Sequence, residues 1–169
     1  MIYPIVKFGN PVLEKPSETV TVFDEELKKL IEDMFESMYE ARGVGLAAPQ
    51  IGIGRRIAVV DVSFKEDPKA KLVLINPEII HTEGKHTQSE GCLSVPDFRE
   101  NVTRPLKVTI RAQDVHGKIF EKTGEELLAR AFQHETDHLN GKLYLSHLSA
   151  LKRDLIKRKI RKLIKAGEW

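Results

Sequence analysis

The order of the periodic segments constrains the fold of this chain most strongly. Helical spacing of apolar residues marks three segments, at residues 24–41, 123–139 and 149–165. Segments rich in β-branched and other apolar residues lie between the first two, at 56–62, 71–76, 106–112 and 118–122. The last two flank a turn sequence at 114–117, Asp-Val-His-Gly, which indicates a hairpin. Because no regular βαβ alternation is present, we expect an α+β fold with mixed or antiparallel strands around the middle helix.

Capping signals set the limits of the expected helices. Asp24 is suited to cap the first helix, and residues 123–126, Thr-Gly-Glu-Glu, match a capping box for the second. Asn140 and Gly141 should end that second helix. In the third helix, apolar residues occupy one side and lysines and arginines the other. Residues 43–52 are both glycine-rich and apolar, which predicts a buried loop or edge segment.

Length and charge distribution bound the organisation of the chain. Its 169 residues suit a single domain, so we expect one domain over 1–169 with a basic C-terminal helix at about 149–165. No uncharged apolar run approaches the roughly 18 residues that a membrane span needs. Charged residues and prolines interrupt the first sixteen residues, where a signal peptide would be apolar. We therefore expect a cytoplasmic protein without a membrane partner.

The second helix contains the sequence His134-Glu135-Thr136-Asp137-His138. Histidines four residues apart lie on one helix face, so their ring nitrogens can converge on one ion. Glu135 lies beside them and could act as general base toward a water on that ion. An amphipathic helix with two histidines four residues apart by chance is the alternative, and the rarity of the pattern disfavours it.

A catalytic divalent ion usually takes three protein ligands, so a third is expected. The candidates are Cys92 upstream and, downstream, His147, Asp154 and Glu168. Cys92 is the only cysteine, which excludes an intramolecular disulfide, and a lone cysteine more often fills a core. However, Gly91 beside it permits close backbone approach, and Glu90 is unusual for a core position. A thiolate with two imidazoles would suit iron, zinc, nickel or cobalt.

Three segments of the chain carry a family resemblance. They are Gly43-Val44-Gly45-Leu46-Ala47-Ala48-Pro49-Gln50-Ile51-Gly52, Glu90-Gly91-Cys92-Leu93-Ser94 and Gln133-His134-Glu135-Thr136-Asp137-His138. In order and spacing they resemble the signature motifs of bacterial peptide deformylase, and the likeness extends from Phe8 to Leu143. The resemblance implies a metal-dependent hydrolase that removes the N-formyl group from the initiator methionine of newly made polypeptides and releases formate.

The resemblance also implies the roles of individual residues. The metal ligands would be Cys92, His134 and His138. Glu135 would be the general base, and the side-chain amide of Gln50 and the backbone N–H of Leu93 would stabilise the oxyanion. The expected substrate-binding residues are Gly43, Val44, Gly45, Arg99, Leu127 and Ala131. One divalent ion per chain is expected, with ferrous iron first and zinc, nickel or cobalt able to occupy the same ligands.

The sequence allows more than one role for three charged residues near these positions. Glu90 should bond a backbone group or an arginine such as Arg104. Arg130, one turn before His134, either lies at the rim of the methionine pocket or is solvated. Asp137 either orients a ligand or bonds the backbone.

The role of the basic third helix and the class of function each have alternative interpretations. Residues 151–169 carry a formal charge of +6 in a chain whose total is +2. Their lysines and arginines either form a solvated face or dock on phosphates of ribosomal RNA, and no DNA partner is expected. An HExxH-type zinc endopeptidase would leave Cys92 and Gln50 without a role. A non-catalytic ribosome-associated module would use only the basic helix.

Overall fold

The computed structural model describes all 169 residues and contains three α-helices and seven β-strands. The helices are α1 (Glu25–Glu40), α2 (Glu126–Leu139) and α3 (Ala150–Lys165). The strands are β1 (Gly45–Ala47), β2 (Ile57–Val60), β3 (Leu72–Glu83), β4 (His86–Cys92), β5 (Val95–Arg104), β6 (Lys107–Gln113) and β7 (Ile119–Glu125). No helix combines the length and the apolar character that a membrane crossing requires.

All pairs of neighbouring strands are antiparallel, which confirms the α+β prediction. Five strands form one sheet in the order β1-β2-β3-β6-β7, and β4 pairs with β5 in a separate two-stranded sheet. The four predicted strands correspond to β2, β3, β6 and β7. The strands β4 and β5 were not predicted, because β4 (His-Thr-Gln-Ser-Glu-Gly-Cys) lacks the apolar alternation that marks a half-buried strand.

The five-stranded sheet lies between α1 and α2, and alternate residues of β2 show why. Ile57 and Val59 pack in one cluster with the apolar face of α1, whereas Ala58 and Val60 pack in another with the apolar face of α2. Successive side chains of a strand point to opposite faces, so a strand covered on both sides is apolar throughout. The α2 helix is therefore held against the sheet along its length.

The predicted cap of α1 is confirmed, the predicted capping box of α2 does not form, and α3 begins with a serine cap that was not predicted. The Asp24 side chain accepts a hydrogen bond from the N–H of Leu27, and the Ser149 side chain accepts one from the N–H of Lys152. The capping box at 123–126 does not form, because Thr123 pairs with Thr109 across β6 and β7 and the strand runs directly into α2. Strand pairing overrides the local capping pattern.

The predicted apolar face of α3 is only partly buried. Ile156 and Ile160 pack in a third cluster with residues of β5 and the segment before α3. Leu151, Leu155 and Ile164 are 71%, 45% and 50% exposed, so only part of the apolar side of α3 packs on the domain. Residues 43–52 form the edge strand β1 and a buried 3-10 turn, as the sequence predicts.

Candidate metal centre and active site

Cys92, His134 and His138 lie together, with their ligand atoms all within 4.8 Å of one another. Nε2 of His138 is 3.2 Å from Nε2 of His134 and 3.3 Å from Sγ of Cys92. The histidines are one turn apart on α2, and Cys92 ends β4. Two nitrogen ligands of a tetrahedral ion stand about 3.3 Å apart when each bond is about 2.0–2.1 Å, so this spacing fits one ion. His147, Asp154 and Glu168 do not join the group.

Glu90 is a buried carboxylate that organises the cationic side chains around this centre. It accepts hydrogen bonds of 2.8 Å from Nε and Nη2 of Arg104, 2.8 Å from Nη1 of Arg130 and 2.7 Å from Nδ1 of His134. Burial raises the pKa of Glu90, but the bonds from His134 and Arg104 outweigh it and hold the pKa far below its usual range. The expected pairing with Arg104 is confirmed. Arg130 is buried in the network, so its predicted solvation is wrong, and it borders the cleft beside the centre as the other alternative expected.

The environment of the two histidines favours a bound cation. A carboxylate can only accept, so Nδ1 of His134 carries a proton and its Nε2 faces His138 and Cys92. Burial lowers the pKa of His134, but the charge of Glu135 and the hydrogen bonds with Cys92 and Glu90 outweigh it and raise the pKa well above normal. Burial lowers the pKa of His138 well below normal. The carboxylates that stabilise a proton on His134 would also stabilise a divalent ion at this position.

Glu135 has an unpaired carboxylate beside the metal ligands. It is 4% exposed, and its Oε1 has no hydrogen-bond partner. Burial raises its pKa to about 7. A Cβ added to Gly45 of β1 would lie 2.5 Å from Oε2 of Glu135, so only glycine allows β1 to approach α2 this closely. A carboxyl group of this kind can exchange protons near neutral pH.

Gln50 directs its amide nitrogen toward the cluster. It is buried in the 3-10 turn after β1, and its Oε1 accepts a hydrogen bond of 3.0 Å from the N–H of Ala47. Its Nε2 lies 3.6 Å from Sγ of Cys92 and 3.3 Å from Oγ of Ser94. Leu93 follows Cys92 in the turn between β4 and β5. The amide is therefore oriented by local backbone while its donor faces the site.

A cleft of about 640 Å³ opens over this centre. The predicted substrate-binding residues all line it, namely Gly43, Val44, Gly45, Arg99, Leu127 and Ala131. Nε and Nη2 of Arg99 each donate a 3.0 Å hydrogen bond to Ser89 of β4. Residues that the sequence analysis missed also line the cleft, among them Arg42, Phe64, Val95, Pro96, Asp97 and Phe98. Four of these six belong to β5, which the sequence pattern did not predict.

Asp137 bonds neither a metal ligand nor the backbone through its side chain. Its Oδ2 accepts from Nη1 of Arg104 at 3.0 Å and lies 2.9 Å from Nε2 of His147. Because Arg104 also bonds Glu90, Asp137 belongs to the same network of ion pairs behind His134.

Comparison with known proteins identifies the family. Residues 2–154 match the family model described as polypeptide deformylase. A peptide deformylase from Acidobacterium capsulatum is 64% identical over 169 residues, covering 100% of this chain and 99% of the relative. A peptide deformylase from Pseudomonas aeruginosa is 51% identical over 162 residues, covering 95% of each chain. The crystal structure of a peptide deformylase from Legionella pneumophila superposes with a TM-score of 0.91 at 47% identity, covering 99% of this chain and 98% of that one.

The match extends over the strands, α2 and the residues of the candidate centre. Nothing in the comparisons supports the endopeptidase alternative. The chain therefore belongs to the peptide deformylase family, whose metal-dependent members remove the N-formyl group from newly made peptides.

Proposed function

We propose that this protein hydrolyses N-formyl-methionyl peptides to formate and a free amino terminus, with Glu135 transferring the proton. One observation carries this assignment. The Glu135 carboxylate is buried without a partner for Oε1, its pKa is about 7, and it adjoins Cys92, His134 and His138. A group with that pKa can take a proton from the attacking water and later give it to the departing amine.

Cys92, His134 and His138 are the proposed ligands of one divalent ion. When bound, such an ion supplies Lewis acidity, which lowers the pKa of water and polarises a carbonyl group. Ferrous iron is the proposed native metal, and zinc, nickel and cobalt suit the same donors. A thiolate ligand is open to oxidation, so Cys92 makes the centre sensitive to oxygen.

Gln50 and Leu93 are the proposed oxyanion donors. The Gln50 amide is fixed through its Oε1 by Ala47, so its Nε2 can donate to the formyl oxygen as negative charge develops there. The backbone N–H of Leu93 would be the second donor. Donors that are oriented before the reaction need no reorganisation during it.

The walls of the cleft explain a preference for a formyl group on methionine. The apolar side chains of Val44, Leu127 and Ala131 suit the methionine side chain. Gly43 and Gly45 also line the cleft, and the close approach of Glu135 to Gly45 leaves little room there. A formyl carbon carries only hydrogen where an acetyl group carries a methyl group, so this wall would reject acetylated amines and internal amides.

The rate of formate release tests this assignment. Protein purified without oxygen and loaded with ferrous iron should release formate rapidly from formyl-Met-Ala-Ser. Its release of acetate from acetyl-Met-Ala-Ser should be at least about a hundredfold slower. Equal rates on the two peptides, or cleavage of an unformylated protein at internal bonds, would contradict the proposal.

The placement of α3 supports a further part of the proposal, in which residues 1–169 form one cytoplasmic domain that docks on ribosomal RNA. Ile156 and Ile160 attach α3 to the third core cluster, and most of its lysines and arginines are exposed. Binding to ribosomes should weaken with salt and with replacement of Lys157, Arg158 and Arg161 by glutamine. Binding that these replacements leave unchanged would contradict docking through α3.

A further inference from the structure

The rim of the cleft carries an aromatic side chain to which the proposed reaction gives no role. Phe64 is 58% exposed and lines the same cleft as Glu135. Among the large apolar side chains that are exposed, only Phe64 and Leu127 lie on this cleft. Leu127 suits the methionine side chain, which leaves Phe64 available for another part of a bound peptide.

The turn that carries Phe64 is attached directly to the cleft wall. The N–H of Asp61 donates a 2.8 Å hydrogen bond to the carbonyl of Val44, which lines the cleft. The carboxylate of Asp61 is fully buried and accepts from the N–H of Ser63 at 2.9 Å and from the N–H of Lys65 at 3.2 Å. These bonds hold the backbone on both sides of Phe64, so the ring is presented from a fixed turn.

The backbone of this turn adopts a conformation that bulky side chains disfavour. Phe64 has a φ of 53° and Lys65 a φ of 74°, both in the left-handed region. Glycine or asparagine would adopt these angles at lower cost. Backbone outliers of this kind occur often at active sites and ligand clamps. The residue with this unfavourable backbone conformation, Phe64, therefore presents an aromatic ring to the cleft.

We propose that Phe64 binds substrate, through contact of its ring with an apolar or aromatic side chain that follows the formyl-methionine. This inference rests on the proposed deformylase function. The formyl end must reach the buried Glu135, so an exposed residue at the rim meets the part of the peptide that leaves the cleft. The ring offers no polar atom, so the contact selects apolar and above all aromatic side chains.

Three peptides test the proposal: formyl-Met-Ala-Ser, formyl-Met-Phe-Ser and formyl-Met-Ala-Phe. With the iron-loaded protein, kcat/KM for at least one phenylalanine peptide should exceed that for formyl-Met-Ala-Ser about fivefold, mainly through a lower KM. Phe64→Ala should reduce this ratio to about one, and Phe64→Tyr should retain it. Ile119→Ala removes a similarly exposed apolar side chain on β7, outside the cleft, and should leave the ratio unchanged.

The outcomes separate the inference from the function on which it rests. Formate release without a preference for phenylalanine, or a preference that Phe64→Ala retains, overturns the role of Phe64 alone. A loss of the preference in Ile119→Ala also overturns it, because the effect would then not belong to the cleft. No formate from any of the three peptides overturns the deformylase function and the substrate contact together.

Discussion

Two carboxylates near the metal ligands differ in their hydrogen bonding, and that difference separates their functions. Glu90 is paired with Arg104, Arg130 and His134, which keeps it ionised and fixes the orientation of His134. Oε1 of Glu135 has no partner, and burial raises the pKa of Glu135 to about 7. The paired group therefore positions a ligand, and the unpaired group is free to transfer protons.

Replacement of Gln50 by glutamate tests the oxyanion role at the scale of one atom. Gln50→Glu keeps an oxygen that can accept from the N–H of Ala47 but removes the amide donor that faces the cleft. We expect kcat for formyl-Met-Ala-Ser to fall about 10²–10³-fold, with bound metal unchanged. Gln88→Glu makes the same change on the exposed part of β4 and should keep the parent rate. A Gln50→Glu protein with the parent kcat would contradict the role.

Removal of the Glu90 charge tests the buried network. Glu90→Gln leaves Arg104 and Arg130 buried without their carboxylate, so we expect the free energy of unfolding to fall by about 3 kcal/mol. Metal affinity should fall about 10–100-fold, because His134 loses the acceptor that orients it. Denaturant unfolding and metal titration measure the two effects. The exposed ion pair of Glu83 with Lys107 provides the control, because Glu83→Gln should lower the free energy of unfolding by less than about 1 kcal/mol. Equal losses of unfolding free energy in Glu90→Gln and Glu83→Gln would contradict the role of the network.

The contact between β1 and α2 sets the geometry of the site at the scale of secondary-structure elements. The strand passes so close to the helix that Gly45 lies against the Glu135 side chain. The two elements belong to different parts of the sequence, and only the sheet between α1 and α2 brings them together. The position of the general base Glu135 therefore depends on glycine at position 45.

A methyl group at position 45 should disturb this contact. Gly45→Ala places a carbon 2.5 Å from Oε2 of Glu135, which must displace either the carboxylate or β1. We expect kcat/KM to fall about a hundredfold, because a displacement near 1 Å has effects of that size. Gly54→Ala is the matched control, since its added Cβ would have no neighbour within 4 Å. Similar activities of the two variants would show that the close approach has no catalytic consequence.

The turn after β2 should make stability depend on acid pH. Burial raises the pKa of Asp61, but hydrogen bonds from Ser63 and Tyr39 outweigh it and lower the pKa. A lowered pKa in the folded state stabilises the protein above the unfolded value of about 4, and this stabilisation is lost as pH falls below it. Asp61→Asn should therefore reduce the unfolding free energy by about 2 kcal/mol at pH 7.

Unfolding measured from pH 7 to pH 3 distinguishes this effect from a simple packing loss. The difference between the parent and Asp61→Asn should shrink below about pH 4. Asp67→Asn, an exposed aspartate in the same loop, should change stability little. A difference for Asp61→Asn that stays constant at low pH would contradict the role of the ionised carboxylate.

Across the whole molecule, the sequence predicts what is local and misses what depends on tertiary contacts. The spacing of His134 and His138 is a property of one helix, so it is visible without the fold. The burial of Arg130 is not, because it depends on Glu90 from β4 and on the carbonyl of Val102 in β5. Those polar strands carry no apolar alternation, and the cleft wall that they form was missed with them.

In the proposed reaction, Glu135 is the proton-transferring group of a metal-dependent deformylase. The most direct test compares the iron-loaded parent with Glu135→Gln on formyl-Met-Ala-Ser, with iron content and folding measured for both. We expect equal iron and folding, rapid formate release by the parent, and a loss of at least about 10²–10⁴-fold in the variant. Parent-like formate release by folded, iron-loaded Glu135→Gln would contradict the account.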